Sequence, residues 1–391
     1  MKLGYEEKPV AKNDGLWLLR KMSVNLLKIK LMFFSQVGML VALTFLTLFQ
    51  TILFLQKFDG YYFIKYLAVY AASYYILVAI SSNLKLSVVI GTFLDKLQIW
   101  EVNCCGKQVE NRIKREIFWL NCVLVINTII TVYSVITHMI PLEDDKELFF
   151  PFAIFEEFFP RWEKWLSAMY RAGFLLMPAA MQTTCYVIVY IGTHMRFQFY
   201  ILIHFLENIN GDYNTSIPER LINNSQYQKE IKERIVFRIK RHAHIFKVCS
   251  ELNQRMKVFI ILFSIMSAIL GVAILVFYFS FQGSFEGRYA RMISLVITAG
   301  ITFTLAVVTG QSVEDVTFRI FEILKELDWY CWNSDNKKIY LIFLTNAQKI
   351  FKMEFSESVS VNYELGVSIA KTIYSMASVM AQLKHIDYTK H

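Results

Sequence analysis

Charge is scarce in this chain. Only 19% of its 391 residues are Asp, Glu, Lys or Arg, while 55% are hydrophobic and the mean hydropathy is +0.39. A soluble domain carries more charge on its surface, so a soluble globule is excluded. Cysteine is also sparse. The six, Cys104, Cys105, Cys122, Cys185, Cys249 and Cys331, form no CxxC and have no His or Cys partner at ligand spacing. They read as reduced thiols, which excludes a disulfide scaffold and a cysteine metal site. No carboxylate pair, GxSxG, P-loop or HExxH is present, and His242 and His244 stand two apart on different faces of a basic helical stretch. An enzyme is therefore not expected, nor any cofactor or metal.

What is present is a series of long uncharged runs. Roughly 20 apolar residues cross a bilayer as a helix. Runs of that size occupy 31–56, 66–84, 117–142, 172–195, 258–285 and 292–313. The first is too long for a cleavable signal peptide and reads as a retained spanning helix. A seventh span is expected over 355–383 despite Glu357, Glu364 and Lys371. Charges inside a span are costly, so that helix should face protein or water, and it is the first place to look for a pore.

The net charge of +9 comes from Lys and Arg spread over loops, which marks membrane orientation and no nucleic-acid partner. Segments 1–30, 85–116, 196–257 and 314–354 carry 7, 6, 11 and 6 of them, against 2, 3, 2 and 2 in 57–65, 143–164, 286–291 and 384–391. The N-terminus is thus expected in the cytoplasm and the C-terminus outside. The expected fold is an all-α integral membrane protein of seven transmembrane helices.

Between the spans, 141–164 is acidic and aromatic. Glu143, Asp144, Asp145 and Glu147 precede Phe149, Phe150, Phe152, Phe155, Phe158 and Phe159, a composition suited to a lid over the outer helix ends or to aromatic residues resting at the interface. Arg171 is expected to snorkel toward it. Residues 196–257 read as cytoplasmic extensions of the flanking spans, with a polar break at 208–226; their basic runs suit a solvated face or anionic membrane lipid. The amphipathic stretch 314–352 is too polar to span and too apolar to stand alone, so it should pack within the chain or between subunits. The organisation expected is a cytoplasmic segment 1–30, a six-helix bundle 31–313, cytoplasmic anchor helices 314–352, a pore-lining helix 353–384 and an outer tail 385–391.

Across 309–384 the sequence resembles the C-terminal signature of insect odorant receptors. The matching residues are Gly310-Gln311, Trp329 to Trp332, Lys337-Lys338, Gln348-Lys349, Thr372, Tyr374, Ser375 and Gln382-Leu383-Lys384. Ile350 departs from the family's usual proline after the Gln-Lys pair. The resemblance implies an odorant-gated cation channel, a tetramer whose last helices line the pore. No large insertion is evident in the second cytoplasmic loop, so it also implies a tuning subunit that assembles with the family's co-receptor in a heterotetramer. The alternatives are a gustatory-type channel of the same superfamily and a G-protein-coupled receptor. The latter is opposed by inverted orientation, by the absence of cysteine in 141–164, and by Asn362-Tyr363-Glu364-Leu365 where NPxxY would stand.

On the last helix, Val361, Glu364, Ser368, Thr372, Ser375, Val379, Gln382 and Leu383 share one stripe at 100° per residue, mostly small or polar. Small residues also let helices approach closely, but the match to the family's gate places Val379, Gln382 and Leu383 at a constriction closed by dewetting. The resemblance also places the pocket for a small volatile hydrophobic odorant in the outer halves of the second, third, fourth and neighbouring helices. There the chain offers Tyr70, Ser73, Tyr74, Ile130, Tyr133, Thr137, Phe174, Met177, Met181, Tyr278 and Phe281.

The orientation has a direct test. The sequons Asn214-Thr215-Ser216 and Asn223-Asn224-Ser225 both fall in a loop assigned to the cytoplasm and should stay unglycosylated. A glycosidase-sensitive mobility shift abolished by Asn214→Gln and Asn223→Gln would invert the map. A sequon engineered into 141–164 should be used and serves as the positive control.

Overall fold

In a computed structural model of the chain, the residues described are 14–56, 60–142, 145–213, 218–280, 285–354 and 359–388. Hydrocarbon offers no partner to an amide, so a spanning segment must pair its own N–H and C=O groups. The chain does this with helices throughout: α1 (Trp17–Met22), α2 (Lys30–Gln56), α3 (Gly60–Leu97), α4 (Gly106–Met139), α5 (Asp145–Leu148), α6 (Phe150–Phe158), α7 (Glu163–Gly173), α8 (Met177–Glu207), α9 (Pro218–Ile222), α10 (Ser225–Ser280), α11 (Phe285–Glu326), α12 (Ser334–Ala347) and α13 (Tyr363–Tyr388). Among the described residues, extended pairing is limited to one bridge between Glu354 and Ser360. α2, α3, α4, α8, α10 and α11 are long and apolar enough to cross a membrane, and α13 is the more polar seventh.

α8 is the central post of the bundle. From Thr183 to Met195 every residue is buried, against α3, α4, α10 and α11. At a helix crossing this dense the backbones must come close, and Gly192 permits it: a Cβ there would lie 2.5 Å from Thr309 Cγ2 of α11. Side-chain hydrogen bonds cross the same interfaces. Asn83 of α3 donates to the Ala180 carbonyl (2.7 Å) and accepts from Thr184 Oγ1 (2.9 Å). Asn127 of α4 donates to Tyr186 Oη (2.8 Å) and to Thr302 Oγ1 (3.0 Å), tying α4, α8 and α11 together. α2 lies at the side of the bundle. Gln36, Met39, Leu43, Thr47, Gln50 and Phe54 form its buried stripe at helical spacing, and Leu31, Phe34, Phe45 and Leu55 its exposed one.

The inner end, which the charge count assigns to the cytoplasm, is held by arginines. Helix C-termini leave carbonyls without partners, and α10 supplies donors to two of them. Arg241 reaches the Leu97 and Gln98 carbonyls at the end of α3 and Gln198 Oε1 of α8, with its guanidinium 4.1 Å from the Trp100 ring centroid. Arg238 and Arg234 donate to the Phe205 and Ile209 carbonyls at the end of α8. α1 is held by Asp14, which accepts from Tyr190 Oη (2.5 Å) and from the Leu16 amide (2.9 Å), with His194 Nε2 3.2 Å away. Burial would raise the Asp14 pKa, but His194 and these hydrogen bonds outweigh it and hold the carboxyl well below the usual range.

The signature residues of the C-terminal third have structural work here. Trp332 is fully buried and donates to Tyr227 Oη (3.1 Å); Asn333 caps α12 by accepting from the Asn336 amide (2.9 Å); Asn336 Nδ2 reaches the carbonyl and Oε1 of Gln228. Trp329 stacks on Tyr340, with Lys337 Nζ 5.8 Å from the Trp329 ring. α12 still leaves Leu341 and Ile342 more than half exposed.

Three expected boundaries move. α11 runs unbroken through 313/314, so the anchor region begins as a continuation of a spanning helix. The last helix starts at Tyr363, not in the 353–355 region, because Met353 pairs with Val361 and Asn362 then caps the helix by accepting from the Leu365 amide (3.1 Å); it continues to Tyr388, past the expected end at 384. Glu143, Asp144, Asn214 to Ser216, Glu357 and residues 389–391 lie outside the described residues.

Val361 passes directly over α11 at Gly310, where any Cβ would collide with its carbonyl. Gly310→Ala is expected to displace this crossing and lower stability by about 1–3 kcal/mol. Gly271, in open space on α10, supplies the control: Gly271→Ala should stay within about 0.5 kcal/mol of the parent. Thermal denaturation of the two purified variants checks both.

Candidate functional site

A cavity of about 150 Å³ opens among the outer halves of α3, α4, α8, α10 and α11 under the lid of α5 to α7. A space of that size accommodates a molecule such as benzene. Its α3 wall is Lys65, Ala68, Val69, Ala72, Ser73 and Ile76, where two alanines leave room. α4 contributes Ser134, Val135 and His138; α10 contributes Leu270, Ile274 and Phe277; α11 contributes Arg291, Met292, Leu295 and Val296.

The α8 side exists because the chain breaks helix between α7 and α8. Pro178 has no N–H to continue the α-helical ladder, and the amides of Phe174, Leu175 and Leu176 turn tightly back onto Arg171, Ala172 and Gly173. That break sets Phe174, Met177, Pro178 and Met181 against the cavity. The lid adds Leu148, Phe149 and Tyr170. Phe149, Tyr170, Phe174 and His138 form a cluster of ring contacts, with centroids 5.4–6.5 Å apart in the pairs His138–Phe149, His138–Phe174, Phe149–Tyr170, Phe149–Phe174 and Tyr170–Phe174.

Charge holds the lid down. Asp145, 1% exposed, lies between two guanidinium groups: Arg171 Nη1 is 2.5 Å from its Oδ2 and Arg291 Nη1 is 2.6 Å from its Oδ1. The second terminal nitrogen of Arg291 donates to the Ile140 carbonyl, and Asp145 also accepts from the Leu142 amide. Arg171 thus meets the acidic loop by one buried contact.

Of the residues singled out from the sequence, Ser73, Phe174, Met177 and Met181 line this cavity. The others do not. Tyr70 and Tyr74 turn toward α2, where their hydroxyls share Thr51 Oγ1 at 2.8 and 3.2 Å. On α4 the cavity face is Ser134, Val135 and His138, about 100° from the stripe of Ile130, Tyr133 and Thr137; Tyr133 is 53% exposed on the bundle surface and Thr137 bonds the Ser134 carbonyl. Tyr278 is exposed on α10, and Phe281 lies outside the described residues. Lys65, Ser134, His138, Tyr170 and Arg291 are polar lining residues that sequence reasoning missed, as it missed the pairing of Arg291 with Asp145 behind the wall. For that pair a partial signal was present: an arginine at the edge of an apolar run requires a partner, and acidic residues stand in the lid, although nothing local says which one.

α13 packs one side on α10 and α11. Glu364, Ser368, Thr372, Ser375 and Val379 lie on its exposed side, as do Val367, Lys371 and Tyr374. Val361 leaves the stripe, because it precedes the helix and is buried on Gly310. The side chains of Gln382 and Leu383 lie outside the described residues. The start of α13 is bound to α11: the Tyr363 amide donates to Gln311 Oε1 (3.1 Å), Asn362 Nδ2 reaches Glu314 (3.4 Å), and Lys352 pairs with Glu314 at 3.2 Å.

A sequence model of the 7tm odorant receptor family matches residues 92–374. The chain belongs to the odorant receptor family. Comparison with curated proteins returns no match. Among solved structures, the insect olfactory receptor OR5 from Machilis hrabei in complex with eugenol shares the fold, with a TM-score of 0.67 and 13% identity over 96% of this chain and 93% of that one. The same receptor in a second structure gives 0.62 and 13% over 88% of each. This odorant receptor is accordingly a multi-pass membrane protein of seven transmembrane helices in a receptor family, and the resemblance read at 309–384 holds across most of its length.

The Asp145 cluster can be tested on the receptor without a ligand. Removing one partner of a buried ion pair costs about 3–5 kcal/mol. Asp145→Asn should therefore sharply lower thermal stability in detergent, and adding Arg291→Gln should recover part of the loss, since the two changes act on one contact.

Proposed function

We propose that this odorant receptor is the ligand-binding subunit of an odorant-gated, non-selective cation channel, assembling with the olfactory co-receptor as a heterotetramer in the plasma membrane of a sensory dendrite. The observation that carries it is α13. A helix of spanning length that keeps Glu364 and Lys371 exposed cannot face hydrocarbon at low cost. Ser368, Thr372 and Ser375 on its open side suit water, and Val379, Gln382 and Leu383 follow as the constriction. The exposed Leu341 and Ile342 of α12 give neighbouring subunits an inner-end surface.

The cavity and the pore helix are served by one element. α11 lines the cavity at Arg291, Met292, Leu295 and Val296 and holds the start of α13 at Gly310, Gln311 and Glu314. Val296 and Gly310 are 14 positions apart, about 21 Å along a helix. A ligand that favours one placement of α11 biases the base of α13 with it, and only that difference in affinity can move the gate. The Machilis hrabei receptor in complex with eugenol supports a small odorant as the ligand class.

Volatile-evoked current is expected when the chain is expressed with a co-receptor and not when it is expressed alone. Robust current from the chain alone, in cells lacking any homologue, would remove the co-receptor assignment. Val379→Ser or Leu383→Ser should raise basal leak by wetting the constriction. Unchanged leak and selectivity at normal surface expression would exclude these residues from the gate.

A further inference from the structure

The cavity has a polar end as well as apolar walls. Tyr170 is packed by Phe149, Phe152, Phe155 and Phe174, yet among the described residues no hydrogen bond reaches its hydroxyl. His138 has Nδ1 2.7 Å from the Ser134 carbonyl, so that nitrogen carries the proton, and Nε2 has no protein partner among the described residues. Arg291 spends its two terminal nitrogens on Asp145 and Ile140. All three residues line one cavity.

Charge at this end is one-sided. Arg291 lines the cavity, whereas no Asp or Glu does among the described residues. Behind the wall, Asp145 answers both Arg171 and Arg291, so among the described residues this buried cluster sets two guanidinium groups against one carboxylate. The field at the cavity therefore favours electron-rich groups and opposes a second cation. A donor that a ligand desolvates without pairing costs about 1–3 kcal/mol, so a ligand that accepts from it is preferred to an isostere that does not.

From this we infer that the cavity selects small odorants, of about one ring, that carry an oxygen able to accept a hydrogen bond, and that Tyr170 is a specificity-determining residue that donates to it. Arg291 sets the sign of the field, which excludes ammonium compounds. The inference rests on the reading of this cavity as the odorant site and adds the chemical class that it takes.

The test uses one carbon skeleton with four functions: ethylbenzene, acetophenone, 1-phenylethanol and 1-phenylethylamine. Binding is read as ligand-induced thermal stabilisation of the purified full chain, which does not depend on current. Acetophenone and 1-phenylethanol should bind about 10-fold more tightly than ethylbenzene, and the protonated amine most weakly. Tyr170→Phe keeps the ring packing. It should bring acetophenone to within about 3-fold of ethylbenzene while leaving ethylbenzene unchanged. The inference is overturned by equal binding of hydrocarbon and ketone, by amine binding as tight as ketone, by equal weakening of all ligands in the variant, or by binding of none of the four. Should Tyr170→Phe fail to fold, the ligand order on the parent chain decides the matter. Binding in the expected order with no current beside a co-receptor would keep this inference and overturn the channel reading instead.

Discussion

An arginine at the outer end of a spanning helix must find an anion or leave the hydrocarbon, and in this receptor it finds Asp145. That requirement fixes more than one contact. Asp145 belongs to the lid, Arg291 to α11 and Arg171 to the short helix before the α8 break, so satisfying one charge brings three separate segments to the same point. The aromatic cluster then closes beneath them. Buried ion pairs add little net stability compared with apolar packing, but they tolerate few alternative arrangements, since every misplacement strands a charge. Here the effect is positional: the roof of the cavity is held in register with its walls.

The inner end meets the same demand with different means. There the groups to be satisfied are helix-terminal carbonyls, and Arg234, Arg238 and Arg241 reach them from a single long helix. Side-chain amides carry the remaining contacts, from Gln198 to Gln228 and Asn336. The outer end, with a cavity between α10 and α11 and a lid on a few charges, has fewer such ties. In the proposed reading, ligand energy applied at the outer end is expressed at the junction of α11 with α13, the place where Gly310 lets Val361 pass.

The sequence was most legible where hydrocarbon constrains it most. Uncharged runs of about 20 residues admit one structure, and the count of basic residues by loop orients them. α13 identified itself by contradiction, through Glu364 and Lys371 in a helix of spanning length. The signature residues were readable as a pattern, but their reasons were not: Trp332 is buried on Tyr227 about 100 positions earlier, and Gly310 is needed for a carbonyl about 50 positions later. The cavity was only partly legible. In a membrane both faces of a helix are apolar, so periodicity gives little contrast between the lipid side and the protein side. Ser73, Phe174, Met177 and Met181 could be placed, yet Tyr133 faces out and Ser134 faces in, one step around α4. Tyr70 and Tyr74 were attractive for their hydroxyls, but those hydroxyls already had Thr51. A pairing such as Arg291 with Asp145 spans 146 positions and has no local signature.

The open side of α13 poses the one problem that a single chain does not solve. Glu364, Ser368, Lys371, Thr372 and Ser375 are exposed along a helix set against α10 and α11. Lipid is a poor solvent for that surface, and no second layer of this chain covers it among the described residues. Water inside a ring of copies is a physically suitable surrounding, because it hydrates the charges while the opposite side of each helix stays packed. Small side chains then matter for width as well as polarity, since they leave the lumen open until the helix reaches Val379. The features that make α13 a poor membrane helix are in this reading the ones that make it a serviceable pore wall.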